Sequence, residues 1–114
     1  MIKFKKEEFY GNIEYKSIFK NVSSSRLEKL STQLKFRLVE GKGKATYLLG
    51  VTDEGVIKGF DKSLLDYNTS IITKMCDIIN AKITEQNIFS IKNKIWLIIK
   101  IKALFEISDI IHFN

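Results

Sequence analysis

Residues 41–59, GKGKATYLLGVTDEGVIKG, decide how this chain folds. Thr46 to Val51 is β-branched, aromatic and aliphatic, Thr52-Asp53-Glu54-Gly55 supplies turn chemistry, and Val56-Ile57 begins a return that Gly59 stops. An apolar run that meets an acidic, glycine-bearing turn and reverses predicts a β-hairpin. The glycines do not make a phosphate loop. Such a loop needs GxxxxGK followed by Ser or Thr at the start of a helix, so that backbone N–H groups wrap the phosphates. Gly41-Lys42-Gly43-Lys44 runs into a strand, and the Gly11 to Ser17 stretch has Tyr15 where the second glycine belongs. Neither nucleotide hydrolysis nor a nucleotide or other cofactor is expected.

Upstream of the hairpin, Ile13, Tyr15 and Ser17 alternate with Glu14, Lys16 and Ile18, which predicts a strand over Asn12 to Phe19. Ser25 and Glu28 have the spacing of a capping box. Leu27, Leu30, Leu34 and Leu38 then form one apolar stripe on a helix that runs to Glu40 and stops at Gly41. Downstream, Leu64, Ile71, Met75 and Ile78, flanked by Leu65, Ile72 and Ile79, predict a second helix from Lys62 to Ala81. Ile83 to Ile91 and Lys94 to Leu104 read as strands joined by a short turn at Lys92-Asn93. In the last strand Leu97, Ile99, Ile101 and Ala103 share one face, while the other begins apolar at Trp96 and Ile98 and ends basic at Lys100 and Lys102. The expected fold is α+β, in the order β-α-β-β-α-β-β, with a mixed sheet and two helices on one side.

The 114 residues, 45% apolar and 28% charged, suit a single domain over 1–114. Residues 1–10, charged with Phe4, Phe9 and Tyr10 interleaved, read as an arm or edge segment, and 105–114 as a tail that is either a helical turn or an added strand. A membrane span needs roughly 18 consecutive apolar residues; Ile95 to Ile101 is seven residues long and contains Lys100. MIKFKKEEFY has no signal-peptide pattern, so a cytoplasmic protein without a membrane partner is expected, with idle sequons at Asn21 and Asn68. The lone Cys76 has no disulfide or zinc companions and falls on the second helix as a buried thiol. His112 has no catalytic or ligand partner nearby in sequence.

Charge is the strongest functional signal. The net charge is +6, and residues 1–44 carry all of it, with eleven Lys or Arg against five acids; the remainder balances eight against eight. Abundant Lys, Ile and Asn and only two arginines suggest an AT-rich genome, but codon bias would act along the whole chain. An asymmetric excess points to a surface that meets a polyanion. Lys16, Lys20, Arg26, Lys29, Lys35, Arg37, Lys42 and Lys44 are the expected phosphate contacts. Phe4, Phe9, Tyr10 and Trp96 are the aromatics for stacking on unpaired bases, unless they serve as core.

Several separated pieces in order carry a family resemblance. They are Gly11-Asn12-Ile13-Glu14-Tyr15-Lys16, Arg26-Leu27-Glu28 with Leu30, Gln33-Leu34-Lys35, Arg37-Leu38, Glu40-Gly41 with Gly43, and Gly50-Val51 with Asp53, Gly55 and Gly59. From Gly11 to Ile83 the chain resembles the amino-terminal domain of eukaryotic elongation-factor-Tu-like GTP-binding proteins linked to ribosome rescue and mRNA quality control. The resemblance implies a translation-linked domain; in those proteins the GTPase is a separate downstream domain, which this sequence does not include. Glu14-Tyr15-Lys16 with Gly50-Val51-Thr52-Asp53 is also distantly similar to the AlbA-type domain of Schlafen proteins, some of which cut tRNA or rRNA with metal-binding acids.

Three functions follow as expectations. The first is a noncatalytic module that binds the ribosome or structured RNA, including as an inhibitory or dormancy-type factor. The second is a metal-dependent ribonuclease using Glu14 and Asp53; its third acid would fall on Phe9, with Glu7 and Glu8 out of register. The bland alternative has Glu14 paired with a lysine and Asp53 fixing its own turn. The third is a protein-interaction domain using the Trp96 and Ile98 face.

Overall fold

Strand pairing across the whole chain length organises the molecule. The computed structural model describes residues 3–107; His112 and the rest of the tail beyond 107 lie outside them. The elements are β1 (Ile13–Lys16), α1 (Ser24–Glu40), β2 (Lys44–Leu49), a 3-10 turn (Lys62–Leu64), α2 (Leu65–Ile79), β3 (Ala81–Ile91) and β4 (Lys94–Ala103). The sheet order is β1-β2-β4-β3. β1 and β2 are parallel, which requires a crossover, and α1 is that crossover; the other pairs are antiparallel.

The α+β class and the element order agree with the sequence pattern, and the differences have local causes. The hairpin's return arm makes only bridge pairs, Val51 with Ile57 and Val56 with Lys3. Gly50, at φ +91°, turns the chain out of the sheet, and its carbonyl accepts the N–H groups of both Lys58 and Gly59. β2 therefore takes its ladder partners from β1 and β4. Ser23, not Ser25, caps α1: its Oγ accepts from Arg26 N at 3.1 Å. Three consecutive serines offer three capping registers, and the one used places Val22 against the core with its N–H donated to Tyr67 Oη. α2 ends at Ile79 because Asn80 adopts the left-handed conformation, so Ala81 already belongs to β3.

Both helices pack on one face of the sheet. Leu30, Leu34 and Leu38 of α1 and Ile71, Ile72, Met75 and Cys76 of α2 meet Tyr47, Leu49, Leu97, Ile99 and Ile101 in the main core. Leu64 and Ile78, expected on the apolar face of the second helix, are exposed. Cys76 is buried, and burial pushes its thiol up to about 11. Asn68 is fully buried; its Oδ1 accepts from Phe19 N and its Nδ2 donates to Leu64 O, which makes it a structural residue.

The face away from the helices carries a smaller cluster of Tyr15, Leu48 and Val51, packed with Phe4, Ile57, Trp96 and Ile98. Residues 3–10 run along this side as a strap. Phe4 N donates to Gly55 O, Glu7 N to Asp53 O, and the Tyr15 hydroxyl to Lys5 O. The exposed edge of the sheet is β3, whose residues from Thr84 to Ser90 are all open to solvent. The last strand, β4, is interior.

Candidate nucleic-acid interface

The eight basic residues singled out by charge do not converge on one patch. Arg37 is removed from the set. Its guanidinium is 4% exposed and makes four hydrogen bonds within the chain: Nε to Glu14 Oε1 at 2.9 Å, Nη1 to the carbonyls of Tyr10 and Gly11, and Nη2 to that of Glu8. Glu7 adds a looser ion pair at 3.8 Å. With four of five donors spent, Arg37 clamps the strap to β1 and α1 and cannot contact a phosphate.

The remaining seven separate by helix geometry. Arg26 and Lys29 are exposed on the α1 flank nearest Lys16, which is tied to Glu14 at 3.4 Å and to Gln33. Lys35, nine residues from Arg26 and so about 180° around the helix, sits instead over the Phe105 ring at 6.0 Å. Lys20 lies in the loop after β1. Lys42 and Lys44 lie beyond the far end of α1, whose 17 residues span about 25 Å.

Tertiary pairing supplies a cluster that charge counting missed. Lys44 of β2 is directly opposite Lys102 of β4, and Lys102 is directly opposite Lys82 of β3. Opposed residues point to the same side, so three ammonium groups stand in a row on the face away from the helices, about 4.8 Å from strand to strand. All three are exposed, and none has an ion-pair partner among the described residues. Lys100, two positions along β4, is matched by Glu85 at 3.5 Å. The alternation of β4 hinted at this basic half-face, but Lys82 carried no signal, because only the register brings it to Lys102.

The two acids considered for metal chemistry occupy different settings. Glu14 is buried, with Oε1 bonded to Arg37 and Oε2 near Lys16, so both oxygens already face cations. Asp53 is exposed at the turn, and Thr52 rather than Asp53 fixes that turn by accepting Val56 N on its hydroxyl. Glu7, out of register in sequence, folds back so that its carboxylate accepts Tyr15 N on the outer edge of β1. Burial, and then the charges of Glu14 and Asp53, push Glu7 above the usual carboxylate range, against the opposing pull of Tyr15 N–H and Arg37. Among the described residues no three His, Cys, Asp or Glu side chains are grouped to hold a metal ion.

Of the aromatics, Phe4 is half-buried between Tyr15 and Trp96, while Phe9 and Tyr10 are exposed and meet edge to face at 5.7 Å. Trp96 and Ile98 are partly covered by the smaller core, which leaves them a reduced surface for a protein partner.

Fold and site together define an α+β domain with a helix-covered face and an opposite face that is part apolar and part basic. A 74-residue stretch, 65% of the chain, is 40% identical to GTP-binding protein 2 of mouse and equally to that of human. The chain spans only 12% of those relatives' length. Over 116 aligned residues, 99% of the chain, it is 33% identical to uncharacterized protein R625 of Acanthamoeba polyphaga mimivirus, covering 61% of that protein. No family model and no solved structure matches it. About two thirds of this chain is thus a segment shared with a GTP-binding protein. Among the described residues no helix is long and apolar enough to cross a membrane.

Proposed function

We propose that this chain is a noncatalytic RNA- or ribosome-binding module of translation, acting in the cytoplasm by occupying a site on the ribosome or a structured RNA, in an inhibitory or dormancy-type role. The observation that carries the reading is the Lys44–Lys102–Lys82 row. Like charges directly opposite in a sheet oppose folding, and a polyanion laid across them converts that repulsion into attraction. Lys42, two residues before Lys44, adds positive charge at this end of the sheet, while Arg26 and Lys29 form a separate basic flank at the other end of α1. The kinship with a GTP-binding protein, and the resemblance to translational GTPases of ribosome rescue, support translation as the setting.

The test is cosedimentation with ribosomes across a salt series. Binding is expected to weaken with salt, and the triple variant Lys44→Glu, Lys82→Glu, Lys102→Glu is expected to lower the slope of log affinity against log salt by about 2–3. Binding that is insensitive to salt, or unchanged in the triple variant, refutes the reading.

A further inference from the structure

The far end of the β3–β4 hairpin holds a second feature that the lysine row does not explain. A cavity of about 900 Å³ opens between the hairpin and the Val56–Lys58 segment. Phe89 and Trp96 form its aromatic wall, stacked with centroids 4.5 Å apart and planes 23° from parallel, and Ile57 and Ile91 complete the apolar lining. Lys58, Lys92 and Lys94 stand exposed at its rim, and no carboxylate is among the described residues that line it. The walls are fixed rather than loose. Phe60 and Ile95 exchange both backbone hydrogen bonds at 2.9 Å, and Phe4 braces Trp96 edge-on at 5.8 Å.

Flat apolar faces beside three exposed cations, with no carboxylate among the described lining residues, suit an occupant that is both planar and anionic. An unpaired nucleotide has this chemistry: its base stacks on an aromatic ring in a sequence-tolerant way while its phosphates meet lysines. The volume lies within the roughly 300–1,000 Å³ range of small-ligand pockets. Trp96 also stands six residues from Lys102 on the same face of β4, about 20 Å, so the cavity and the lysine row are separate contacts.

We propose that this cavity takes an unpaired nucleotide of single-stranded RNA, the base stacked on Phe89 beside Trp96 and the flanking phosphates on Lys58, Lys92 and Lys94. The proposal deepens the RNA-binding reading and rests on it for the class of partner.

Trp96 is the chain's one tryptophan, so its fluorescence reports on the site directly. A labelled ten-nucleotide oligouridine is titrated against the wild type and Phe89→Ala, followed by anisotropy and by Trp96 emission, with circular dichroism checking that the variant is folded. The oligonucleotide is expected to quench Trp96. Phe89→Ala is expected to weaken binding by about 5- to 150-fold, the loss of one stacked base, whereas Phe89→Tyr keeps binding within about twofold because it keeps the ring. Unchanged affinity in Phe89→Ala, or no quenching, overturns the proposal. So does uridine monophosphate competing as well as the oligonucleotide, which would make the occupant a free nucleotide, or concentration-dependent dimerisation lost in Phe89→Ala, which would make it a second copy of the chain. Ribosome pelleting that responds to salt and to Lys102→Glu while oligouridine binding ignores Phe89→Ala leaves the broader reading intact and removes the cavity's role. The converse result removes the broader reading alone.

Discussion

Replacing Lys102 with glutamate is expected to make the protein more stable and a poorer RNA binder at the same time. Lys102 lies between Lys44 and Lys82 in register, so one substitution turns two like-charge cross-strand pairs into two opposite-charge pairs. Each cross-strand pair is worth roughly 0.2–1 kcal/mol, with like charges unfavourable. The two new pairs alone contribute about 0.4–2 kcal/mol at low salt, and relief of the two repulsions adds to that. Lys and Glu are both weak strand formers and the position is exposed, so propensity and packing leave that sum nearly unchanged. Urea denaturation of wild type and variant, at about 20 mM and again at about 500 mM salt, measures it; the gain should shrink in high salt, where screening reaches within a few ångströms. Ribosome cosedimentation on the same samples should show weaker binding by the variant. A variant less stable than wild type at low salt would refute the reasoning, because the three lysines could not then be facing one another.

Four further outcomes follow from the interior. Arg37→Met should cost about 3–5 kcal/mol by leaving buried Glu14 with Lys16 as its remaining cation and the Glu8, Tyr10 and Gly11 carbonyls without their donor, and adding Glu14→Gln should recover part of it; urea midpoints of the double-mutant cycle decide, and a single-variant loss below about 1 kcal/mol would mean that Arg37 is not clamping the strap. The hydroxyl of Tyr47 is buried without a partner among the described residues, so Tyr47→Phe should leave stability equal or raise it by about 1 kcal/mol; a thermal midpoint several degrees lower would contradict that. Glu7 holds its proton more tightly folded than unfolded, so its contribution to stability is full below the ordinary Glu pKa of about 4.3 and is lost as pH rises through the raised folded value. Glu7→Gln should remove that loss, and denaturation between about pH 4 and 7 should show the variant gaining on wild type toward neutrality rather than falling behind. At Gly55, a Cβ would lie 2.1 Å from the Phe4 carbonyl oxygen at φ +90°, so Gly55→Ala should unseat the strap; faster proteolysis near the amino terminus is the readout, and wild-type resistance would count against the docking.

Much of the architecture was legible because its cause is local. The leucines of α1 recur at helical spacing, and Leu30, Leu34 and Leu38 are all buried. The two-residue turn at Lys92-Asn93 was marked by its neighbours' alternation, and both residues take the positive φ that a tight hairpin demands. The interface was harder to read. A charge count along the chain weighs every lysine and arginine alike, and it counted Arg37 as a surface cation although Glu14, twenty-three residues away, draws it into the interior. It also passed over Lys82, which acquires meaning only where β3 meets β4. Sequence by itself determined both helices, most of the strands, the buried leucine stripe of α1 and the excess of positive charge, since hydrophobic period acts over a few residues. Which charges stand side by side was left to the tertiary structure, because strand register joins positions 44, 102 and 82 through contacts that no local pattern encodes.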